Sequence, residues 1–183
     1  TFVSWAIYRW PVAFLTHRED YQMAAYEMGS RKAKFMVELD ENNVYYGLYL
    51  ERSDSGMDTT WDWTRLLPAL QKNLALQEMI VEAEVENGIQ FLGRTYQGQD
   101  TFHFADGPAK GALNMWDEEN SSALSVVERI EQLTQIPEGK WGEIYFVATI
   151  PKNEALQEGV RIAHKIASDM RVLLPLYTAA VQE

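Results

Sequence analysis

The chain has 183 residues, a formal net charge of −11 and no cysteine. A chain of this length can bury about 70 % of its unfolded surface in one core, so we predict a single α+β domain over residues 1–183. The lack of cysteine excludes disulfides, thiolate nucleophiles and zinc–thiolate sites, and it suits a reducing compartment, so a cytoplasmic location is expected. Since no apolar run approaches the roughly 18–20 residues of a membrane-spanning helix, we expect no membrane association.

The negative charge is concentrated in the middle of the chain. Residues 53–151 hold sixteen Asp and Glu against six Lys and Arg, whereas the two flanking regions are close to neutral. A strongly acidic surface repels phosphate backbones and anionic lipids. Duplex nucleic acid is therefore not expected as a partner.

The first part of the chain is predicted to form a strand, a helix and a hairpin. Residues 2–10 are rich in bulky apolar residues and predict a strand, whereas 18–28 suit a short helix. Residues 34–39 and 44–51 are dense in strand-forming side chains, and 40–43 are turn-forming residues. This pattern is typical of a β-hairpin.

Two helices are predicted to follow the hairpin. Thr59 or Thr60 would cap the first, and an acidic residue in its first turn would suit the helix dipole. The second would run over residues 74–86 and end at Asn87-Gly88.

Strands and helices alternate in the predicted second half. A helix capped by Ser121 or Ser122 would carry its apolar side chains on one face. Strands are predicted at residues 89–96, 101–104, 112–116 and 143–150.

The last segment is predicted to be a long helix. Apolar residues recur at helical spacing over residues 153–177, and four small residues recur at every fourth position: Ala155, Gly159, Ala163 and Ala167. We expect this seam of small residues to lie against the chain's own sheet, and the alternative is helix packing across the two-fold axis of a homodimer. The predicted fold is therefore α+β, with a mainly antiparallel sheet, helices packed on one face and a long C-terminal helix covering the sheet.

Acid–base candidates are few. His17 lies beside Glu19 and Asp20, and a carboxylate next to a histidine can orient its ring for proton transfer. His103 lies between two phenylalanines of a predicted strand, so it would face away from them. The sequence contains no metal-ligand, phosphate-loop or nucleophile-elbow motif, so we expect no metal and no cofactor.

Aromatic residues near acidic ones supply the predicted binding surface. Tryptophan and tyrosine with polar tips are frequent in binding sites, although they also serve as core residues. The surface is predicted to contain Tyr45, Tyr49, Glu51, Arg52, Trp61 and Trp63.

Three glutamates form a second charged feature of the sequence. Glu78, Glu82 and Glu86 recur one helical turn apart, where like charges cost stability. They predict either a solvated helix face or a surface for a cation or a basic partner.

These features favour a non-catalytic binding or interaction domain, whose partner would be an unidentified protein or small molecule. The alternative is a small hydrolase or isomerase that uses histidine and carboxylate groups for acid–base catalysis.

Overall fold

A computed structural model confirms the α+β class and the mainly antiparallel sheet with helices on one face. At residues 2–5, 12–15, 94–96 and 112–114 only the backbone is described. The described residues are 2–5, 12–15, 31–39, 42–53, 56–96, 112–114 and 124–182.

Seven strands form one sheet in the described part of the chain, and every neighbouring pair is antiparallel. Their order across the sheet is β1-β2-β3-β4-β7-β5-β6, so the long strands β4 and β7 lie at the centre. The strands are β1 (Phe2–Trp5), β2 (Val12–Leu15), β3 (Lys34–Leu39), β4 (Asn43–Arg52), β5 (Gln90–Tyr96), β6 (Ala112–Asn114) and β7 (Trp141–Pro151).

The described helices pack on one face of this sheet, which we call the helix-covered face. Its core includes Leu48 of β4, Phe146 of β7 and Leu66 of the first helix, and all three are almost fully buried. The rings of Phe91 and Phe146 stack across neighbouring strands with centroids 4.8 Å apart. The helices are α1 (Trp63–Lys72), α2 (Leu74–Asn87), α3 (Val126–Thr134), α4 (Lys152–Glu158), α5 (Arg161–Val172) and α6 (Leu174–Val181).

The predicted hairpin is present as β3 and β4. Strand β4 contains Gly47, and this position requires glycine because a Cβ atom there would lie 1.8 Å from the carbonyl oxygen of Phe146. The close approach lets β4 and β7 pair along their whole length, from Asn43 opposite Pro151 to Arg52 opposite Gly142.

Helix α2 begins and ends nearly where the sequence predicts. The Asn73 side chain accepts hydrogen bonds from the first turn, and Gly88 ends the helix in a left-handed conformation with φ of 64°. Helix α1 does not begin as predicted. It starts at Trp63, after Asp62, and no side chain caps it, so neither Thr59 nor Thr60 is its cap. Helix α3 is capped by Ser125, which forms a reciprocal capping box with Glu128.

The remaining predictions for strands, helices and caps have different outcomes. The predicted strand over 2–10 corresponds to β1, and a second strand, β2, lies beside it. The predicted helix over 18–28 and the strand over 101–104 lie outside the described residues. The predicted caps Ser121 and Ser122 are wrong, because α3 begins at Val126 and is capped by Ser125.

The terminal segment covers the sheet as three helices rather than one, and the predicted packing of its seam against the sheet is wrong. The chain breaks at Gly159, where φ is +55°, and Gly159, Ala163 and Ala167 are exposed while Ala155 is half-buried. A Cβ atom at Gly159 would meet nothing of the chain within 4 Å, so Gly159 does not pack closely against the chain's own sheet. The alternative, packing of the seam in a homodimer, stays a prediction.

Helix α5 is instead attached to the sheet by a buried polar contact. The Tyr46 hydroxyl of β4 donates to Asp169 Oδ2 at 2.6 Å, and Lys165 Nζ donates to the same oxygen at 2.9 Å. Burial, followed by the Asp169 carboxylate, raises the pKa of Tyr46 above its usual range. In the described part of the chain, no helix is both long and apolar enough to cross a membrane.

Candidate ligand site on the second face of the sheet

The face of the sheet opposite the helices carries a buried polar cluster. Because side chains alternate along a strand, Lys34, Tyr49 and Tyr145 form one row across β3, β4 and β7. Glu51 and Glu143 form the next row, directly opposite each other on β4 and β7. We call these five residues the tyrosine–glutamate cluster.

Hydrogen bonds from the two tyrosines connect the cluster. Tyr145 donates to Glu143 Oε2 at 2.7 Å, and the Tyr49 hydroxyl lies 2.7 Å from Glu143 Oε1 and also contacts Glu51 Oε1. A phenol carries one hydrogen, so Tyr49 can donate to only one of these carboxylates at a time. The two rings lie 4.9 Å apart between centroids.

Lysine 34 supplies the positive charge of the cluster. Its Nζ atom lies 4.0 Å from Glu51 Oε1 and 5.2 Å from the centre of the Tyr49 ring. Burial lowers the pKa of the Lys34 amine, and attraction to Glu51 and Glu143 acts in the opposite direction. Burial and the same two carboxylates raise the pKa of Tyr49 well above its usual range.

Glu51 is the least buried residue of the cluster. Lys34, Tyr49, Glu143 and Tyr145 are all buried, whereas the Glu51 side chain is 13 % exposed. Its Oε2 atom is itself enclosed and has no hydrogen-bond partner within the described part of the chain. A buried carboxylate oxygen without a donor is costly, so this atom is suited to accept a hydrogen bond from a ligand.

Three carboxylates lie on this face near the Lys34 amine. Those of Glu38 and Glu143 are buried, and that of Glu51 is partly exposed. Arg94 of β5 pairs with Glu143 in the strand register, although only its backbone is described. Carboxylate oxygens and tyrosine rings both attract cations, so a cationic group placed between them is bound favourably.

The structure brings together three of the six predicted binding residues. Tyr45, Tyr49 and Glu51 share the second face because they alternate along β4. Tyr45 is half-buried, and its hydroxyl accepts a hydrogen bond from Asn43 Nδ2 at 3.0 Å.

The other three predicted residues lie away from this face. Arg52 is buried on the helix-covered face, where its Nη1 atom donates to the Ile136 carbonyl at 2.7 Å. Trp63 is part of the helix-covered core. Trp61 is buried beneath Arg31, whose Cζ atom lies 5.6 Å from the centre of the Trp61 ring.

The tryptophans flank a buried structural anchor, Asp62. Its Oδ2 atom accepts from the Ala33 backbone N–H at 2.9 Å, and its Oδ1 atom accepts from Arg65 at 2.6 Å. Asp62 also donates its own N–H to the Arg31 carbonyl at 2.8 Å. The Trp-Asp-Trp segment therefore attaches the start of β3 to α1.

Lys34, Glu143 and Tyr145 were not predicted as site residues. From the sequence, residues 143–150 are predicted to be an apolar central strand. Nothing in that pattern distinguishes Glu143 or Tyr145 as a functional residue. The signal that could have found them is alternation, which places both on one face of a strand. Only the register of β4 against β7 shows that this face meets Tyr49 and Glu51.

The acid–base candidates His17, Glu19, Asp20 and His103 lie outside the described residues. Among the residues that are described, no three histidine, aspartate or glutamate side chains come together as metal ligands. Comparisons with protein-family models, curated proteins and solved structures return no match to this chain.

Proposed function

We propose that this chain is a non-catalytic binding domain of the cytoplasm, and that the tyrosine–glutamate cluster recognises an ammonium or guanidinium group of its ligand. The observation that carries the proposal is the enclosed Oε2 atom of Glu51, which has no hydrogen-bond donor in the described part of the chain. Charge-assisted hydrogen bonds to carboxylates are the stronger ones, so a cationic donor suits this position.

The surroundings of Glu51 support a cation rather than a neutral donor. The Glu51 carboxylate lies in a cluster that contains two tyrosine rings, 4.9 Å apart between centroids. Aromatic faces attract cations, and the strength of that attraction increases when water is excluded. Lys34 contacts Glu51 through Oε1, which leaves Oε2 for a ligand.

The test compares two probes of similar size, n-butylammonium and the neutral n-butanol, by ligand-observed saturation-transfer NMR. The proposal expects n-butylammonium to bind and n-butanol to bind much more weakly. Glu51→Gln retains the side-chain shape and removes the charge, so it should weaken n-butylammonium binding about tenfold, or about 1.4 kcal/mol.

The matched control is Glu154→Gln, which removes a charge from an exposed residue of α4. This variant should bind n-butylammonium as the parent chain does. Equal binding of both probes, or equal loss in both variants, would contradict the proposal. Thermal unfolding of each variant shows that the comparison is made on folded protein.

A second candidate function is acid–base catalysis, and the position of Lys34 favours it. Its pKa is lowered by burial, and it contacts both a carboxylate and a tyrosine ring. A buried lysine whose pKa is lowered is the kind of group that serves as a general base in enzymes. Lys34→Met with a retained Glu51 would separate the two functions, because it should abolish turnover of a substrate but preserve binding of n-butylammonium.

A further inference from the structure

The outer face of α2 carries a line of exposed apolar side chains. Leu74, Val81 and Val85 are 70 %, 48 % and 74 % exposed. At 3.6 residues per turn they lie within about 40° of one another around the helix and extend over roughly 16 Å of its length. None of the three belongs to the core, to which α2 is attached through Leu76 and Ile80 on its other side.

A line of carboxylates lies along one flank of the same face. Glu78, Glu82 and Glu86 are exposed, and none of them pairs with a cation among the described residues. Like charges one turn apart cost helix stability, so this arrangement does not serve the fold. We call these six residues the α2 surface: Leu74, Glu78, Val81, Glu82, Val85 and Glu86.

Glu84 of α2 differs from these three glutamates, because its carboxylate is paired within the fold. Glu84 lies on the inner side, where Arg129 Nη2 donates to its Oε2 atom at 2.6 Å and the Phe91 N–H donates to its Oε1 atom at 3.1 Å. That carboxylate joins α2 to α3 and β5. The glutamates of the α2 surface have no comparable contact in the described structure.

We propose that the α2 surface docks a basic amphipathic helix of a partner protein. The apolar line offers a ridge against which a second helix can pack, and the carboxylates would pair with Lys or Arg beside the partner's apolar stripe. Charge complementarity selects this occupant, because an acidic flank repels acidic helices, phosphate groups and anionic lipid surfaces. The α2 surface is separate from the tyrosine–glutamate cluster, so this inference stands without the proposed function.

The experiment measures binding of a fluorescein-labelled helical peptide of about 18 residues, roughly 27 Å long, with Leu on one face and Lys along its flanks. Fluorescence anisotropy should show saturable binding that weakens when NaCl rises from about 50 mM to about 500 mM. A mate peptide with Glu in place of every Lys should bind at least about tenfold more weakly.

Three variants locate the binding. Glu82→Lys should weaken binding of the Lys peptide about tenfold, and Val85→Ser should weaken it by removing apolar contact area. The matched control Glu154→Lys makes the same charge reversal on exposed α4 and should change binding by less than about twofold. Circular dichroism checks that each variant is folded.

Two results would overturn the proposal. The first is equal affinity for the Lys and Glu peptides, or affinity that Glu82→Lys leaves unchanged. The second is sedimentation of the unliganded chain as a dimer that Val85→Glu converts to a monomer, since a second copy would then occupy the α2 surface.

Discussion

The two faces of the central sheet use adjacent residues of one strand in opposite ways. Phe146 of β7 points to the helix-covered face and stacks on Phe91, whereas its neighbour Tyr145 points to the second face and donates to Glu143. Both side chains are almost fully buried. Equal burial therefore does not imply an equal role, because one face is stabilised by apolar packing and the other holds charged groups that must satisfy one another.

A truncation on the helix-covered face should have the largest effect on stability. Phe146→Ala would remove the stacked ring and leave a cavity beneath the helices, so we expect a loss of about 3–5 kcal/mol in the free energy of unfolding. Urea denaturation measures the loss. A change below about 1 kcal/mol would show that the helices do not depend on this layer of the core.

The neighbouring position should respond less. Tyr145→Phe keeps the ring and removes the hydroxyl that donates to Glu143, so we expect a loss of about 1–3 kcal/mol. Adding Glu143→Ala, which removes the accepting oxygens, in a double-mutant cycle gives the coupling energy between the two residues. Strict additivity of the two changes would show that the hydrogen bond contributes nothing to stability.

The smallest expected effect is a change in pH dependence. Because the pKa of Tyr49 is raised in the folded state, its contribution to stability is complete below the unfolded value of about 10. That contribution is lost as pH rises towards the folded pKa, by up to about 1.4 kcal/mol per pH unit for one proton. Lys34 has the opposite sign, since its lowered pKa makes stability rise with pH until about 10.4, where the unfolded amine has also titrated.

The Tyr49 effect can be isolated above about pH 11.4, one unit beyond the unfolded lysine pKa of about 10.4, where Lys34 is largely neutral in both states. Tyr49→Phe should show a shallower fall in the free energy of unfolding than the parent chain, measured by urea titrations at successive pH values. Parallel curves for the two proteins would show that the Tyr49 phenol is not shielded from ionisation by the fold.

Most elements of the described fold could be predicted because their signals are local. The strand-forming residues of β3 and β4, the Asn87-Gly88 end of α2 and the apolar run of β7 are each signals from residues close in sequence. The prediction of one long terminal helix failed because it also depended on a local signal. Its helical spacing is real, but the spacing does not reveal that Gly159 breaks the helix or that Asp169, rather than the small residues, contacts the sheet.

The candidate site was only partly predictable because it depends on register between strands distant in sequence. Tyr49 and Glu51 were found from their own strand, but their contacts to Glu143 and Tyr145 require the alignment of β4 with β7. Trp61 and Trp63 were predicted to take part in the binding surface, because nothing local indicates that Asp62 between them is buried as an anchor. Burial of a charged residue is decided by the partners that tertiary structure brings to it.

The pairing of β4 with β7 also governs how the chain can reach its folded state. Residue 52 pairs with residue 142, so the centre of the sheet cannot close until the intervening helices and β5 have been synthesised. Pairings between distant segments slow folding, and an unpaired β4 edge is open to association with other chains in the meantime. On the ribosome, the early hairpin of β3 and β4 is therefore expected to need protection until β7 emerges.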